Sequence, residues 1–176
     1  MKLYIVRHGQ AGENIPEDPK EDEARPLTDE GRQQVEALAD WMSAQDEVPG
    51  AVFSGTSERT KETAGIFAEK FFGSPKRFTV DPNLDEKKPM EMSIMARAKD
   101  DSIKAPLLVV HHDNVNRMKH LKGNYTPPPD PMATSELRVI KAKRSSMEPG
   151  PLPMLDWKEK RRVLPSDVKD GAEDVY

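Results

Sequence analysis

The sequence predicts an α/β fold, a three-layer sandwich in which a mostly parallel β-sheet carries helices on both faces. Short apolar runs typical of strands alternate with segments of helical periodicity from Leu3 to Leu121, which is the pattern of βαβ units. The length of 176 residues is typical of a single domain with a substantial core. Cysteine is absent, so the core forms without disulfide bonds and a cysteine nucleophile is excluded.

The first strand is predicted over Leu3 to Val6, an apolar and largely β-branched run that ends directly in Arg7 and His8. Glycine and proline interrupt residues 12–26, which are therefore predicted to form a loop. We interpret the acidic run from Glu17 to Glu23 within that loop as a solvated surface.

The middle of the chain alternates between predicted helices and strands. Thr28 is a good N-cap for the first helix, since Asp29 and Glu30 follow it and apolar residues then recur at helical spacing. The remaining elements are predicted strands over 51–53, 78–80 and 107–110, and predicted helices over 57–72 and 89–99. Each helix can therefore connect two neighbouring parallel strands.

The last third of the chain is richer in proline and charge. A short helix is predicted after His112, ending at Gly123, and the proline-rich segment 126–131 is predicted to cross the surface as a stiff connection. Further strands are predicted over 137–143 and around 154–157. We place a single domain at residues 1–165 and a polar tail at 166–176.

Composition excludes several classes of partner. Lysine and arginine number 27 and aspartate and glutamate number 31, so the net charge is 27 − 31 = −4 and a nucleic-acid partner is not expected. The apolar run from Met1 to Val6 is too short for a signal peptide, and no stretch approaches the roughly 18 apolar residues of a membrane span. We therefore expect a cytoplasmic protein without a membrane partner.

Three polar segments lie at the carboxyl ends of predicted strands, where ligands bind in parallel sheets. They are Arg7-His8, Ser54 to Arg59 and His111-His112. A guanidinium matches the oxygens of a phosphoryl group, and an imidazole can attack its phosphorus. The sequence therefore predicts a phosphoryl site that needs no metal and no cofactor. A metal site at the histidine pair is less favoured, because carboxylates at a suitable spacing are not evident.

The order of these segments resembles that of the histidine phosphatase superfamily, whose fold is called phosphoglycerate mutase-like. Arg7 to Ala11 resembles the opening signature of the family, and Arg25 to Arg32 resembles the "RPLT-x-x-G" segment of its small SixA-type phosphohistidine phosphatases. Ser54 and the segment from Arg59 to Ala64 resemble the second motif, although Gly55 stands where the family usually has proline. Two later segments that match the family are 109–112 and 133–137.

The resemblance implies a covalent mechanism in which His8 is the nucleophile and becomes phosphorylated. It further implies that Arg7, Arg59 and His112 clamp the phosphoryl group. The resemblance selects His112 rather than His111, because the family usually has a small residue just before the catalytic histidine. We therefore expect only His112 to point into the pocket, since neighbouring side chains of a strand point to opposite faces.

Three further candidates lie outside this clamp. Asn14 is a lesser candidate for a phosphate contact, since many relatives place an asparagine six residues after the nucleophile. Relatives that cleave phosphate monoesters carry a carboxylate after the third strand to protonate the alkoxide, and Glu86 is the candidate general acid, with Asp85 beside it. The SixA type lacks that carboxylate, which fits a protonated phosphoimidazole that departs neutral. We favour the interpretation of Asp85 and Glu86 as a solvated turn.

Three functions are compatible with these residues. The leading hypothesis is a phosphatase whose partner is a phosphorylated protein and whose substrate is phosphohistidine. The first alternative is a phosphatase of the same fold that acts on small phosphate monoesters. The second alternative, from another class, is a non-catalytic module that binds phosphate or a phosphoprotein. The presence of His8 argues against that module, since binding alone does not require a nucleophile.

Overall fold

The structure, a computed structural model, describes residues 1–88, 90–100, 102–111, 114, 132–144 and 155–169. The strands are β1 (Lys2–Arg7), β2 (Ala51–Ser54), β3 (Thr79–Val80), β4 (Pro106–Val110), β5 (Leu137–Arg144) and β6 (Leu155–Val163). The α-helices are α1 (Pro19–Glu23), α2 (Asp29–Ala44), α3 (Glu58–Phe72), α4 (Met90–Lys99) and α5 (Pro165–Lys169), with a 3-10 turn at Pro82–Leu84. No helix in the described part of the chain has the length and apolar character needed to cross a membrane.

The six strands form one sheet in the order β3-β2-β4-β1-β5-β6. Strands β3, β2, β4 and β1 run parallel, whereas β5 and β6 are antiparallel to their neighbours. The register pairs Arg7 with Val110 and Ser54 with Val109, so the carboxyl ends of β1, β2 and β4 lie at the same edge. The predicted mostly parallel sheet is confirmed.

Helices cover both faces of the sheet, as predicted, because β1 and β4 are apolar on both sides. Leu3 and Ile5 of β1 pack with Met90 and Ile94 of α4 on one face. Tyr4 and Val6 of β1 belong to the core of the other face, which includes residues of α2, α3 and α5. Leu3 and Ile5 of β1 are fully buried. The four residues from Leu107 to Val110 of β4 are fully buried as well.

The connection from β1 to α2 lies directly on the first turn of α2. Thr28 caps this helix as predicted, and its hydroxyl accepts the Gly31 backbone N–H at 3.0 Å. The Thr28 N–H donates to the Gln10 carbonyl oxygen at 2.9 Å. A Cβ at position 31 would lie 2.1 Å from that same oxygen, so only glycine permits this close approach. The segment after His8 is therefore held against α2.

Several predicted elements differ from the structure. Residues 12–26 are not entirely loop, because Pro19–Glu23 form the short helix α1, with Asp18 as N-cap and proline at its start. Strand β6 extends to Val163, and α5 crosses the predicted domain boundary at residue 165, with Val168 packed against the core. The predicted short helix that ends at Gly123 and the proline-rich segment 126–131 lie outside the described residues.

Candidate active site

His8 follows β1 directly and is 7% exposed. Its Nδ1 lies 2.8 Å from the Gly9 carbonyl oxygen. Because a carbonyl oxygen only accepts hydrogen bonds, Nδ1 carries the hydrogen and Nε2 of the neutral ring holds the lone pair. The Gly9 N–H donates to Thr63 Oγ1 at 3.1 Å, which fastens the end of β1 to α3. The site therefore offers an oriented imidazole with a free nucleophilic nitrogen.

The surroundings of His8 keep its ring neutral. Burial lowers the pKa of His8 well below its usual value, and the neighbouring His111 lowers it further. The bond to Gly9 opposes this shift, whereas the positive charges of Arg59 and Arg7 add to it. Such positive charges suit a phosphoryl group, and the neutral ring keeps a lone pair that could attack one.

His111 lies beside His8 at the end of β4. It is 4% exposed, and the two ring centroids are 5.2 Å apart with an interplanar angle of 64°. Its Nε2 is 3.5 Å from Ser57 Oγ, at the start of α3. The parallel pairing of Arg7 with Val110 explains this position, since the next residue of each strand leaves the sheet at the same level.

The prediction that His111 would point away from the pocket is wrong. The apolar pattern of β4 left the register of its last residues open, and the pairing with β1 decides it. His112, to which the resemblance gave the clamping role, lies outside the described residues, so its role stays a prediction.

Arg7 is the last residue of β1 and is held by the segment that leads into β5. Its Nη1 donates to the Met132 carbonyl oxygen at 2.5 Å. Its backbone N–H donates to the Glu136 carbonyl oxygen at 3.1 Å. Arg7 therefore lies next to His8 on a backbone that is fixed from the antiparallel side of the sheet.

Arg59 enters the site from the first turn of α3 and is 5% exposed. Its Nη1 donates to the Asp22 carbonyl oxygen at 2.6 Å, and its Nη2 donates to Asp22 Oδ2 at 3.0 Å. Its Nε is buried and has no hydrogen-bond partner in the described part of the chain. The charges of both predicted arginines thus act on His8, and a residue of α1 holds Arg59.

Asp22 and Arg25 are site residues that sequence analysis missed. Asp22 Oδ1 accepts from Arg25 Nη2 at 2.8 Å, and Arg25 Nη1 donates to the Gly12 carbonyl oxygen. Burial opposes ionisation of Asp22, but Arg59 and Arg25 outweigh it and hold the pKa of this carboxyl below its usual value. The interpretation of the run from Glu17 to Glu23 as merely solvated is therefore wrong at Asp22.

Asn14, Glu86 and Asp85 do not join the two histidines in the described structure. Asn14 and Glu86 are exposed. Asp85 Oδ1 accepts the Thr56 N–H at 2.6 Å, and its Oδ2 accepts the Thr56 hydroxyl at 2.9 Å. A Cβ at Gly55 would lie 2.6 Å from Asp85 Oδ1, so a larger residue there would require the Asp85 side chain to shift. Asp85 therefore braces the loop between β2 and α3.

The site combines a neutral imidazole with the guanidinium groups of Arg7 and Arg59 and with a second imidazole. This set can attack a phosphorus atom and neutralise the charge on the phosphoryl oxygens without a metal ion. Among the described residues, no group of three histidine, aspartate or glutamate side chains is arranged to bind a metal.

Comparison with known proteins agrees with this chemistry. The model of the histidine phosphatase superfamily (branch 1) matches residues 3–102. No curated protein sequence matches that of this chain significantly. The solved structures described next share at most 19% sequence identity with this chain, so their similarity establishes the fold alone.

Three solved structures are similar over nearly their whole length. The protein histidine phosphatase SixA in complex with tungstate has a TM-score of 0.76 and 19% identity, covering 96% of this chain and 99% of its own. A candidate phosphohistidine phosphatase SixA from Agrobacterium tumefaciens has a TM-score of 0.69 and 19% identity, covering 93% and 97%. A mycobacterial glucosyl-3-phosphoglycerate phosphatase has a TM-score of 0.59 and 16% identity, covering 90% and 96%.

Proposed function

The chain belongs to the histidine phosphatase superfamily, and on that basis we propose that it is a phosphatase that removes phosphate from phosphohistidine in a protein substrate. The observation that carries this proposal is the state of His8. Its Nδ1 is bonded to Gly9, its pKa is held low by burial, and two arginines lie near it. These are the properties that a nucleophile for phosphoryl transfer requires.

The proposed reaction has two steps, phosphorylation of His8 and hydrolysis of the phosphorylated His8. His8 Nε2 attacks phosphorus, a new N–P bond forms, and the N–P bond of the substrate breaks so that its imidazole leaves neutral with the proton it already carried. Water then attacks the phosphorylated His8, its N–P bond breaks, and phosphate is released while one proton of water goes to solvent. Arg7 and Arg59 balance the negative charge of the phosphoryl oxygens in both steps.

We assign to His111 the donor role that the resemblance gave to His112. Its ring contact with His8 puts it within reach of a phosphoryl group bonded to His8. An imidazole N–H there can donate a hydrogen bond to an equatorial oxygen. Ser57, 3.5 Å from His111 Nε2, orients the ring.

The carboxylates after β3 favour phosphohistidine over a phosphate monoester. An alkoxide leaving group needs a general acid, but both oxygens of Asp85 accept hydrogen bonds from Thr56 and Glu86 is exposed. The similarity to SixA structures supports the same choice. The second candidate, a phosphatase of small phosphate monoesters, is favoured by the similarity to the glucosyl-3-phosphoglycerate phosphatase.

Turnover of three substrates tests the proposal: a histidine-phosphorylated protein, an aryl phosphate and an alkyl phosphate. We expect rates to fall in that order, and we expect His8→Ala to abolish all of them while the protein stays folded. A brief pulse of labelled substrate should leave acid-labile label on the wild-type protein and none on His8→Ala. Fast hydrolysis of the alkyl phosphate alone would favour the second candidate. Near wild-type turnover by His8→Ala would refute the covalent mechanism.

A further inference from the structure

We propose that Asp22 is a positioning residue for phosphoryl transfer, which fixes the Arg59 guanidinium so that its remaining N–H groups meet the phosphoryl oxygens. The inference rests on the proposed phosphatase function of the same site. Asp22 acts through Arg59 and does not itself contact the phosphoryl group. It stands 37 positions before Arg59 in the sequence, and no local pattern connects the two.

The hydrogen bonds divide the Arg59 guanidinium into two parts. An arginine has five N–H donors, and Asp22 uses two of them, one on Nη1 and one on Nη2. Both acceptors belong to one residue, the Asp22 carbonyl oxygen and its carboxylate, so the guanidinium plane is fixed by two contacts. The donors that remain include the buried Nε–H, which lacks a partner in the described part of the chain. An oxyanion would satisfy such donors.

The position of Asp22 on α1 explains why both acceptors are available. The last carbonyl groups of a helix have no partner within the helix, and Asp22 is the penultimate residue of α1. Its carbonyl oxygen accepts the Arg25 backbone N–H at 3.3 Å and, with its second lone pair, the Arg59 Nη1–H at 2.6 Å, while its side chain turns to the same guanidinium. The N-cap residue Asp18 and Pro19 fix where α1 begins, and they thereby fix the position of Asp22.

The charges at the site explain how a phosphoryl dianion can bind although the Asp22 carboxylate is close by. Asp22 divides its two oxygens between Arg25 and Arg59, so one negative charge serves two positive ones. Arg7 adds a further positive charge on the side of β1. A net positive potential is left for a phosphoryl dianion, while the buried Arg59 is not left without a counter-charge before substrate arrives.

A matched set of carboxylate variants tests the role of Asp22. Asp22→Asn removes the charge and keeps the size, Asp22→Glu restores the charge, and Glu23→Gln removes the same charge from an exposed neighbour on α1. We would measure kcat and KM with an aryl phosphate, the Kd for inorganic phosphate by calorimetry, and the midpoint of thermal unfolding. The phosphate Kd is a readout that a purely structural role would leave unchanged.

We expect Asp22→Asn to lower kcat/KM by about 10- to 100-fold and to weaken phosphate binding, because a misplaced donor costs about that much. Asp22→Glu should recover part of the loss, and Glu23→Gln should stay within about twofold of the wild type. Tighter phosphate binding by Asp22→Asn would overturn the inference and show that Asp22 competes with the phosphoryl group. Behaviour identical to Glu23→Gln would also overturn it.

The result separates this inference from the proposed function. If the wild-type protein binds phosphate in an Asp22-dependent way but turns over none of the three substrates, the function fails and the positioning role stands. If turnover is normal and Asp22→Asn changes neither kcat/KM nor the phosphate Kd, the function stands and the positioning role fails.

Discussion

In the described part of the chain, two clusters each contain one carboxylate that binds two arginines. The two clusters differ in whether they can still bind a ligand. The α1 cluster consists of Asp22, Arg25 and Arg59, with the Asp22 side chain 23% exposed. The β5 cluster consists of Glu136, Arg138 and Arg162. Glu136 is fully buried and Arg138 is 1% exposed, whereas the Arg162 side chain is 31% exposed.

The acceptors of Glu136 are fully used. Its Oε1 accepts from Arg138 Nε and Arg162 Nε, each at 2.8 Å. Its Oε2 accepts from Arg162 Nη2 at 3.2 Å and from the Ala133 N–H at 2.8 Å. Burial alone would raise the pKa of Glu136, but the bonds from Arg162, Ala133 and Arg138 hold it below its usual value. This cluster also carries the backbone carbonyl that accepts from the Arg7 N–H.

The difference separates an architectural ion pair from a functional one. A buried carboxylate with four donors has no capacity for a ligand, and it stabilises the backbone on which Arg7 stands. The α1 cluster is partly exposed and includes an arginine with a buried, unpartnered Nε near a neutral histidine. We therefore expect similar residue types to serve stability in one place and substrate binding in the other, as the following changes would test.

The largest effect on stability is expected from the β5 cluster. Glu136→Ala leaves the buried Arg138 and the partly exposed Arg162 without their carboxylate, which should lower the free energy of unfolding by about 3–5 kcal/mol. Urea denaturation followed by circular dichroism measures this. Asp22→Ala provides the comparison, and we expect a clearly smaller loss because Asp22 is partly exposed. Equal losses for the two variants would break the distinction between the clusters.

After His8→Ala, the largest effect on turnover that leaves the fold intact is expected from Arg59. Arg59→Ala removes one fixed donor set for the phosphoryl oxygens, which should lower kcat by about 10²–10³-fold. Steady-state kinetics with an aryl phosphate measure the change. Arg77→Ala is a suitable control, since Arg77 is an exposed residue that stacks on Phe72 away from the site, and it should have little effect. A loss of stability as large as that of Glu136→Ala would place Arg59 with the architectural residues.

The two adjacent histidines should differ by at least about tenfold in their effect on kcat. His111→Ala removes the ring that contacts His8 and should lower kcat about 100-fold. His112→Ala is the matched control and should cost less than about tenfold. Single-turnover measurements of His8 phosphorylation and dephosphorylation would show which step slows. A larger loss for His112→Ala would return the donor role to the residue that the resemblance selected.

Acid should destabilise the site and the β5 cluster in different pH windows. The folded state disfavours protonation of His8, so its contribution to stability is complete above about pH 6.5 and is lost as the pH falls, because the unfolded chain binds the proton more readily. The lowered pKa of Glu136 has the same sign, but its contribution is lost only below about pH 4.3.

Urea denaturation over pH 3–7 would resolve the two windows. His8→Gln should flatten the dependence of unfolding free energy on pH from about pH 6.5 downward, and Glu136→Gln should flatten it below about pH 4.3. An NMR titration of the wild-type protein should find His8 still neutral at pH 6.5. A protonated His8 at that pH would contradict the assignment of a ready nucleophile.

The smallest effect is expected from Glu86, a carboxylate that belongs to neither cluster. It is exposed, so Glu86→Gln should change the hydrolysis of alkyl and aryl phosphates by less than about twofold. A general acid would contribute about 10²–10⁴-fold for the alkyl substrate alone. A selective loss of that size would establish Glu86 as an acid and favour the small-molecule phosphatase.

The strand ends that form the site could be predicted because apolar runs stop abruptly at polar residues. Leu3 to Val6 leads into His8, and Leu107 to Val110 leads into the histidine pair. The choice within that pair could not be made, since β4 is buried on both faces and its register is set by pairing with β1. Alternation along the strand decides a face only when one face is polar.

Asp22 could not be predicted for a different reason. Helix α1 is five residues long and buries none of them, so it has no hydrophobic periodicity to reveal it. Its acidic residues look alike in sequence, and only the approach of Arg59 from α3 distinguishes Asp22 from Glu21 and Glu23. The full length of strand β6 could not be predicted either, because residues 158–162 are all charged and give no sign of the pairing with β5.

The parallel pairing of β1 with β4 also determines when His8 and His111 can come together as the chain folds. His8 lies among the first residues of the chain, whereas His111 and β4 belong to its second half. Contacts between such distant segments form late, because closing a long loop costs entropy before the contact is made. The two imidazoles therefore come together only after β4 has paired with β1, so formation of the site depends on contacts between segments far apart in the sequence.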